Sequence, residues 1–129
     1  MGVPEMPESS LGENEKRWSR AGVAAYEFDL RYETAWFSWE GRVRVEDGVA
    51  SVADGEEPAR AHILMTIDEY FDYIGDALAE GKVSSAAYDA EFGHPIFFTR
   101  DWHLTFFDGP GERFWISGFA EAGTKKAAP

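Results

Sequence analysis

Apolar and polar positions alternate most clearly in the first third of the chain. Every second residue from 26 to 32 is large and apolar, namely Tyr26, Phe28, Leu30 and Tyr32, and the residues between them are charged. Because successive strand residues point to opposite faces, this pattern predicts a strand with one buried face. Trp39, Gly41, Val43 and Val45 share one face of a second predicted strand. The Asp47-Gly48 dipeptide then predicts a tight hairpin into a third strand over residues 49–53.

Helical periodicity marks two further segments. Thr66 and Glu69 have the spacing of a capping box, and the helix that they open has an apolar stripe of Ile67, Tyr70, Phe71, Ile74 and Leu78. Gly81 is expected to end this helix. Ser10 and Glu13 have the same spacing and predict a shorter first helix that carries Leu11 and Trp18 and ends near Gly22.

The last third of the chain is typical of antiparallel strands. Strands are predicted at residues 83–89, 96–101, 102–107 and 113–119, with turns at 92–95 and 108–111; the segments 96–101 and 102–107 form either one bent strand or two. Strands in runs around one strong helix predict an α+β fold, a curved antiparallel sheet of about five to six strands with an N-terminal and a central helix on one face. We expect a single domain over residues 10–119, a flexible leader at 1–9 and a flexible tail at 120–129.

Composition narrows the classes of protein. The chain has 129 residues, of which 16% are aromatic, and this excludes disorder for its body. Its formal net charge of −12 disfavours nucleic acid and anionic membranes as partners. The lack of cysteine excludes disulfides, thiolate metal sites and cysteine nucleophiles. No stretch approaches the ~20 apolar residues of a membrane span, so we expect a soluble protein, either cytoplasmic or the mature part of an exported one.

The order of these signals resembles one bacterial family, the domain of unknown function numbered 6174. The resemblance rests on Trp18, Tyr26-Glu-Phe28, Val43-Arg-Val-Glu-Asp-Gly48, Thr66-Ile-Asp-Glu-Tyr-Phe71, Ala87-Tyr-Asp89, Phe92-Gly-His-Pro95 and Asp101, and covers residues 15–119. It implies a small protein that is often exported or lipid-anchored, with no established activity. Members often have a Cys-x-Cys pair after the first strand and an export signal. This chain has neither, so no role tied to those cysteines is carried over.

Three residues suggest an enzymatic alternative. Asp101 and His103 would share a strand face, and Asp89 precedes the turn that leads into their strand. A histidine oriented by a carboxylate can act as a general base or, with a third ligand, hold a metal, so the alternative is a small hydrolase-like or metal-assisted enzyme. A surface histidine beside a structural aspartate explains the same pattern, and the three histidines show no metal-ligand spacing. We therefore predict no metal and no cofactor, and we favour a protein that is not an enzyme.

Surplus aromatic residues favour a binding function instead. Alternation in the link between the first two strands points Trp36 and Phe37 to opposite faces, so one large ring is expected outside the core; packing near Trp18 is the alternative. The candidate binding residues are Trp36, Phe37, Trp39, Trp102 and Trp115. A non-enzymatic domain that recognises a protein, a peptide or a small ligand through an aromatic surface is the leading hypothesis, and a structural module of a larger assembly is a further alternative.

Acidic residues recur every four positions on the predicted central helix, opposite its apolar stripe. They are Asp68, Asp72, Asp76 and Glu80. Such a row is either a solvated face or a docking face for a basic partner. With the overall charge, it makes a basic protein or peptide the predicted partner.

Overall fold

The fold is a six-stranded antiparallel sheet with two helices, as a computed structural model describes it over residues 7–59, 61–83, 85–101 and 110–122. The elements are α1 (Pro7–Ala21), β1 (Tyr26–Glu33), β2 (Ser38–Glu46), β3 (Val49–Asp54), a short 3-10 turn (Ala61–Ile63), α2 (Ile67–Ala79), β4 (Ala86–Tyr88), β5 (Pro95–Asp101) and β6 (Pro110–Glu121). The strand order across the sheet is β3-β2-β1-β6-β5-β4. The predicted α+β class, with its N-terminal and central helices, is confirmed.

Strand β1 lies near the centre of the sheet and has the predicted alternation. Tyr26, Phe28, Leu30 and Tyr32 are each at most 3% exposed. They face the core formed with α2, while the charged residues between them face the other side of the sheet. The Asp47-Gly48 turn has positive φ at both residues, 51° and 75°, as a type I′ hairpin requires. Strand β4 covers only Ala86–Tyr88, and is therefore shorter than the predicted segment 83–89.

Helix α2 begins and ends as the sequence predicts. The Thr66 side chain accepts a hydrogen bond from the Glu69 N–H, and the Glu69 carboxylate accepts one from the Thr66 N–H, so the capping box is present. Gly81, with φ of 70°, ends the helix, and the Lys82 N–H bonds back to the Ala77 carbonyl as in a Schellman motif. These caps set the two ends of the helix, and its apolar stripe packs on the sheet.

Helix α1 packs on the same side of the sheet as α2. Trp18 is 4% exposed, its ring lies 5.3 Å from Tyr26, and its Nε1 donates to Asp68 of α2 at 2.9 Å. Gly93 lies beneath α1 with φ of 85°, where a Cβ would meet the Asn14 carbonyl. The helix begins at Pro7, before the predicted cap at Ser10. The opposite side of the sheet has no helix over it in the described part of the chain.

Candidate functional site

The side of the sheet without helices, which we call the open face, carries a dense set of ion pairs. Arg42 Nε and Arg44 Nε both donate to the Glu27 carboxylate at 2.8 Å, and Arg42 Nη1 donates to Asp29 at 3.0 Å. The hydrogen bond from Arg42 is the main cause that lowers the pKa of Glu27, and the bond from Arg44 adds to it. The register of the β1–β2 hairpin produces these contacts, since it places Asp29 directly opposite Arg42.

Trp115 lies near the middle of the open face and binds two of its arginines. The guanidinium carbons of Arg31 and Arg113 lie 4.9 Å and 5.9 Å from the Trp115 ring centre. Both arginines also donate to Glu33, at 2.6 Å and 3.3 Å. The Phe97 ring lies 5.4 Å from Trp115 on the neighbouring strand. The result is an aromatic surface that is half-buried and bordered by paired charges.

A concavity of about 930 Å³ occupies this face. Its floor includes Phe97, Trp115 and Ile96, and Ile96 is 37% exposed. The charged residues of its lining are Asp29, Glu40, Asp54, Arg31 and Arg42. A volume of this size matches the range of ligand-binding clefts, which combine an apolar floor with a few polar groups.

A second polar cluster is buried inside the fold around Glu112. This residue is 4% exposed, and its carboxylate accepts hydrogen bonds from the hydroxyl of Tyr32 at 2.6 Å and from the hydroxyl of Tyr73. The Nε2 atom of His62 lies 3.1 Å from Glu112 Oε2, and the His62 side chain is 46% exposed. The four residues come from β6, β1, α2 and the 3-10 turn, so one carboxylate links four elements.

At Glu112 the hydrogen bonds together change the pKa more than burial does. Burial alone raises the pKa of a carboxyl group, because the charged form loses its solvation. At Glu112 the bonds from Tyr32, Tyr73 and His62 favour the charged form and hold the pKa below its usual value. The cluster is therefore a satisfied buried anion that stabilises the fold.

The sequence prediction missed Glu112, although a signal was present. Phe114 and Ile116 are large apolar residues that alternate along the last strand and are buried, and residue 112 has the same parity. A charged residue at a buried-face position indicates a paired carboxylate. The predicted strand began at residue 113, one position too late to include it.

The predicted aromatic residues lie in different environments. Trp36 is 73% exposed in the β1–β2 turn, whereas Phe37 is half-buried with its ring 6.0 Å from Tyr32. Trp39 is 9% exposed in the core, and its Nε1 donates to the Glu56 carbonyl at 2.8 Å. Only Trp115 lines the concavity, and Trp102 lies outside the described residues.

The residues of the enzymatic alternative are placed only in part. Asp89 acts as a turn cap, since its Oδ2 accepts hydrogen bonds from the N–H groups of Glu91 and Phe92 at 3.0 Å and 2.8 Å. Asp101 is the last residue of β5. His103 lies outside the described residues, so the convergence of these three side chains stays a prediction.

The acidic row on α2 is exposed, but the fold uses two of its members. Asp68 accepts the hydrogen bond from Trp18, and Glu80 pairs with Lys82 at 3.0 Å and with Arg100 at 3.9 Å. Asp72 and Asp76 are exposed and have no ion pair with another described residue. These two carboxylates are the part of the row that can meet a partner without cost to the fold.

His94 is a buried histidine between α1 and the sheet. It is 2% exposed, and its ring stacks on Phe119 at 4.6 Å and meets Trp18 edge-on at 6.1 Å. Burial lowers the pKa of His94, while the nearby Asp89 opposes that shift. The neutral ring packs as an aromatic residue, and this supports α1 on the sheet.

Comparison with known proteins identifies a family. A family model described as a family of unknown function, DUF6174, matches residues 10–108. Neither a curated protein nor a solved structure shows a significant match to the chain. In the part of the chain that the structure describes, no helix is long and apolar enough to cross a membrane. The resemblance identified from the sequence is confirmed, and the chain belongs to the DUF6174 family of unknown function.

Proposed function

We propose that the protein is a non-enzymatic binding domain whose open face receives a basic, amphipathic segment of a protein partner. The observation that carries this proposal is the concavity of about 930 Å³ with Trp115 and Phe97 in its lining. A folded domain gains nothing in stability from leaving such aromatic area accessible, and tryptophan is enriched among the residues that dominate binding energy.

Charge supports a cationic partner. The chain has a formal net charge of −12, and three carboxylates line the concavity, those of Asp29, Glu40 and Asp54. The two arginines in the lining are already occupied, Arg42 by Glu27 and Asp29, and Arg31 by Glu33. A ligand would therefore meet paired cations and exposed carboxylates beside an aromatic floor, which suits lysine or arginine next to an apolar side chain.

Selection of peptides from a random displayed library tests the proposal. The wild-type domain alone is the target of the selection, and the binding of each enriched peptide is then measured on the wild type and on the Trp115→Ala variant. We expect the enriched peptides to combine lysine or arginine with apolar residues, and Trp115→Ala to weaken their binding by about 2 kcal/mol or more, as at other central aromatic contacts. Trp115→Phe is the matched control, because it keeps a ring against Phe97 and should retain much of the affinity.

Two results would contradict the proposal. One is enrichment of peptides that bind Trp115→Ala as tightly as they bind the wild type. The other is a set of enriched peptides that is acidic or has no charge preference. The first result would place recognition elsewhere on the domain, and the second would overturn the basic partner.

A further inference from the structure

The two edge strands of the sheet differ in their protection. Strand β4 has three residues, a register shift between Ala87 and Tyr88, and α1 beside it. Strand β3 has six residues, and no other described strand pairs with its outer edge. Proteins usually blunt such an edge with proline, lysine, a bulge or a covering element, because a bare edge attracts further strands. Residues 49–52 contain no proline and no charge, and the ladder with β2 is regular as far as Val52, so in the described part of the chain nothing blunts this stretch of the β3 edge.

The backbone of β3 directs unpaired groups outward. In a two-residue hairpin the residues that flank the turn, here Glu46 and Val49, exchange both backbone hydrogen bonds. Bonded and non-bonded pairs alternate along an antiparallel ladder, so Ser51 also bonds to β2. The N–H and C=O groups of Ala50 and Val52 therefore point away from the sheet. A register shift interrupts the ladder only beyond Val52.

The side chains of β3 anchor the strand on the core and leave its outer edge accessible. Ala50 and Val52 are partly buried against the core, which fixes the strand in place. On the open face Ser51 is exposed and Val49 is 63% exposed, and both side chains are small. As far as the described residues go, an incoming strand would therefore find the donor and acceptor pairs of Ala50 and Val52 with no bulky group over them.

Charge at the two ends of β3 favours one kind of occupant. Glu46 and Asp47 precede the strand, and Asp54, Glu56 and Glu57 end or follow it; all five are exposed. Pairing of β3 with β3 of a second copy would bring these carboxylates together, and like charges across a strand pair are destabilising. A segment with lysine or arginine near its ends complements both clusters.

We propose that β3 accepts an extended basic segment of a partner protein as a seventh strand. The choice of a basic partner rests on the proposed function, but the surface is a different one and its contacts are backbone hydrogen bonds. In strand addition these bonds supply the affinity, while alternate side chains and end charges supply the specificity.

Amide hydrogen exchange with a designed peptide tests this mode of binding. The probe is an alternating lysine–valine peptide of about eight residues, the length of an ordinary strand. Without the peptide, the Ala50 and Val52 amides should exchange much faster than the Ser51 amide, which is bonded to β2. With saturating peptide, we expect exchange at Ala50 and Val52 to slow at least tenfold, and Ser51 to change little.

Changes in the protein and in the peptide test whether backbone hydrogen bonds to β3 carry the binding. Ala50→Pro removes one outward N–H without removing a bond to β2, and we expect it to weaken peptide binding about tenfold. Ser51→Thr is the matched control, with the backbone bonds intact. Two lysine–valine peptides, each methylated on a different set of alternate backbone nitrogens, test the same bonds with the protein unchanged. Only the peptide whose methyl groups point away from β3 should bind.

Several results would overturn strand addition. These are binding of the peptide without protection of Ala50 and Val52, equal binding of both methylated peptides, and equal binding of a glutamate–valine peptide. Protection that appears without peptide and grows with protein concentration would make a second copy the occupant and overturn the basic partner. If Trp115→Ala abolishes binding of library peptides while the β3 results are negative, strand addition fails and the proposed function stands.

Discussion

Replacing Glu112 with glutamine tests whether the buried carboxylate holds the fold together. The carboxylate accepts bonds from Tyr32, which is fully buried, from Tyr73 and from the half-exposed His62. A hydrogen bond to a charged group contributes about 1.5–3 kcal/mol, and an exposed charge pair about 0–1 kcal/mol. Glutamine keeps the size and one carbonyl oxygen, but it presents an amide donor where a second acceptor stood. We therefore expect the free energy of unfolding at neutral pH to fall by about 2 kcal/mol.

The pH dependence of this loss has a definite sign. The pKa of Glu112 in the folded protein lies below its usual value of 4.5. A carboxyl group with a lowered folded-state pKa stabilises the fold above its unfolded pKa, and this contribution is lost as the pH falls through the folded pKa. Wild type should lose this contribution below about pH 4.5. The glutamine variant has no such contribution to lose.

Urea unfolding followed by circular dichroism, at about pH 7 and about pH 3.5, measures the difference. The gap in unfolding free energy between wild type and Glu112→Gln should narrow at the lower pH. Glu27→Gln is the matched control, since the pKa of Glu27 is also lowered but its pairs with Arg42 and Arg44 lie on the open face. A gap for Glu112→Gln that is the same at both pH values would refute the reasoning.

Two further predictions concern the packing of the helices. Phe71→Ala should lower the free energy of unfolding by about 3–5 kcal/mol, as at other buried phenylalanines, and a loss below about 1 kcal/mol in urea would show that its face is not in the core. Gly93→Ala should cost at least about 1 kcal/mol, because an alanine at positive φ is strained and its Cβ meets α1. The emission of Trp18 should shift to the red in that variant, and an unchanged spectrum with unchanged stability would contradict the close approach.

Local sequence patterns were sufficient to predict most of the fold. The alternation at residues 26–32, the Asp47-Gly48 turn and the Thr66 capping box each have a short-range physical cause, and each appears as predicted. The boundaries were less predictable, because they depend on distant contacts. Helix α1 extends back to Pro7, and β4 covers only Ala86–Tyr88 of the predicted segment 83–89 because its pairing with β5 runs only from Ala86 to Tyr88.

The candidate sites required information that the sequence does not show directly. A sheet with helices on one side leaves its other side open, so the open face follows from the fold class. The contact of Arg31 with Trp115, however, depends on the register in which β1 pairs with β6. Trp39 shows the opposite case. Its parity with Val43 indicates burial, and in the structure Trp39 is 9% exposed, whereas Trp36 in the preceding turn is 73% exposed.

Attraction of a basic partner to the open face should depend on the carboxylates that line the concavity. Asp72 and Asp76 lie on α2, on the other side of the sheet, and a helix alone adds about 10 Å to that separation. Salt screens charges beyond about 8 Å at physiological ionic strength, so the row on α2 contributes little at the open face. Glu40→Gln with Asp54→Asn should therefore slow association of a selected library peptide several-fold, while Asp72→Asn with Asp76→Asn leaves the rate nearly unchanged. Stopped-flow measurements at several salt concentrations would distinguish the two, and an equal slowing by both pairs would mean that attraction arises from net charge alone.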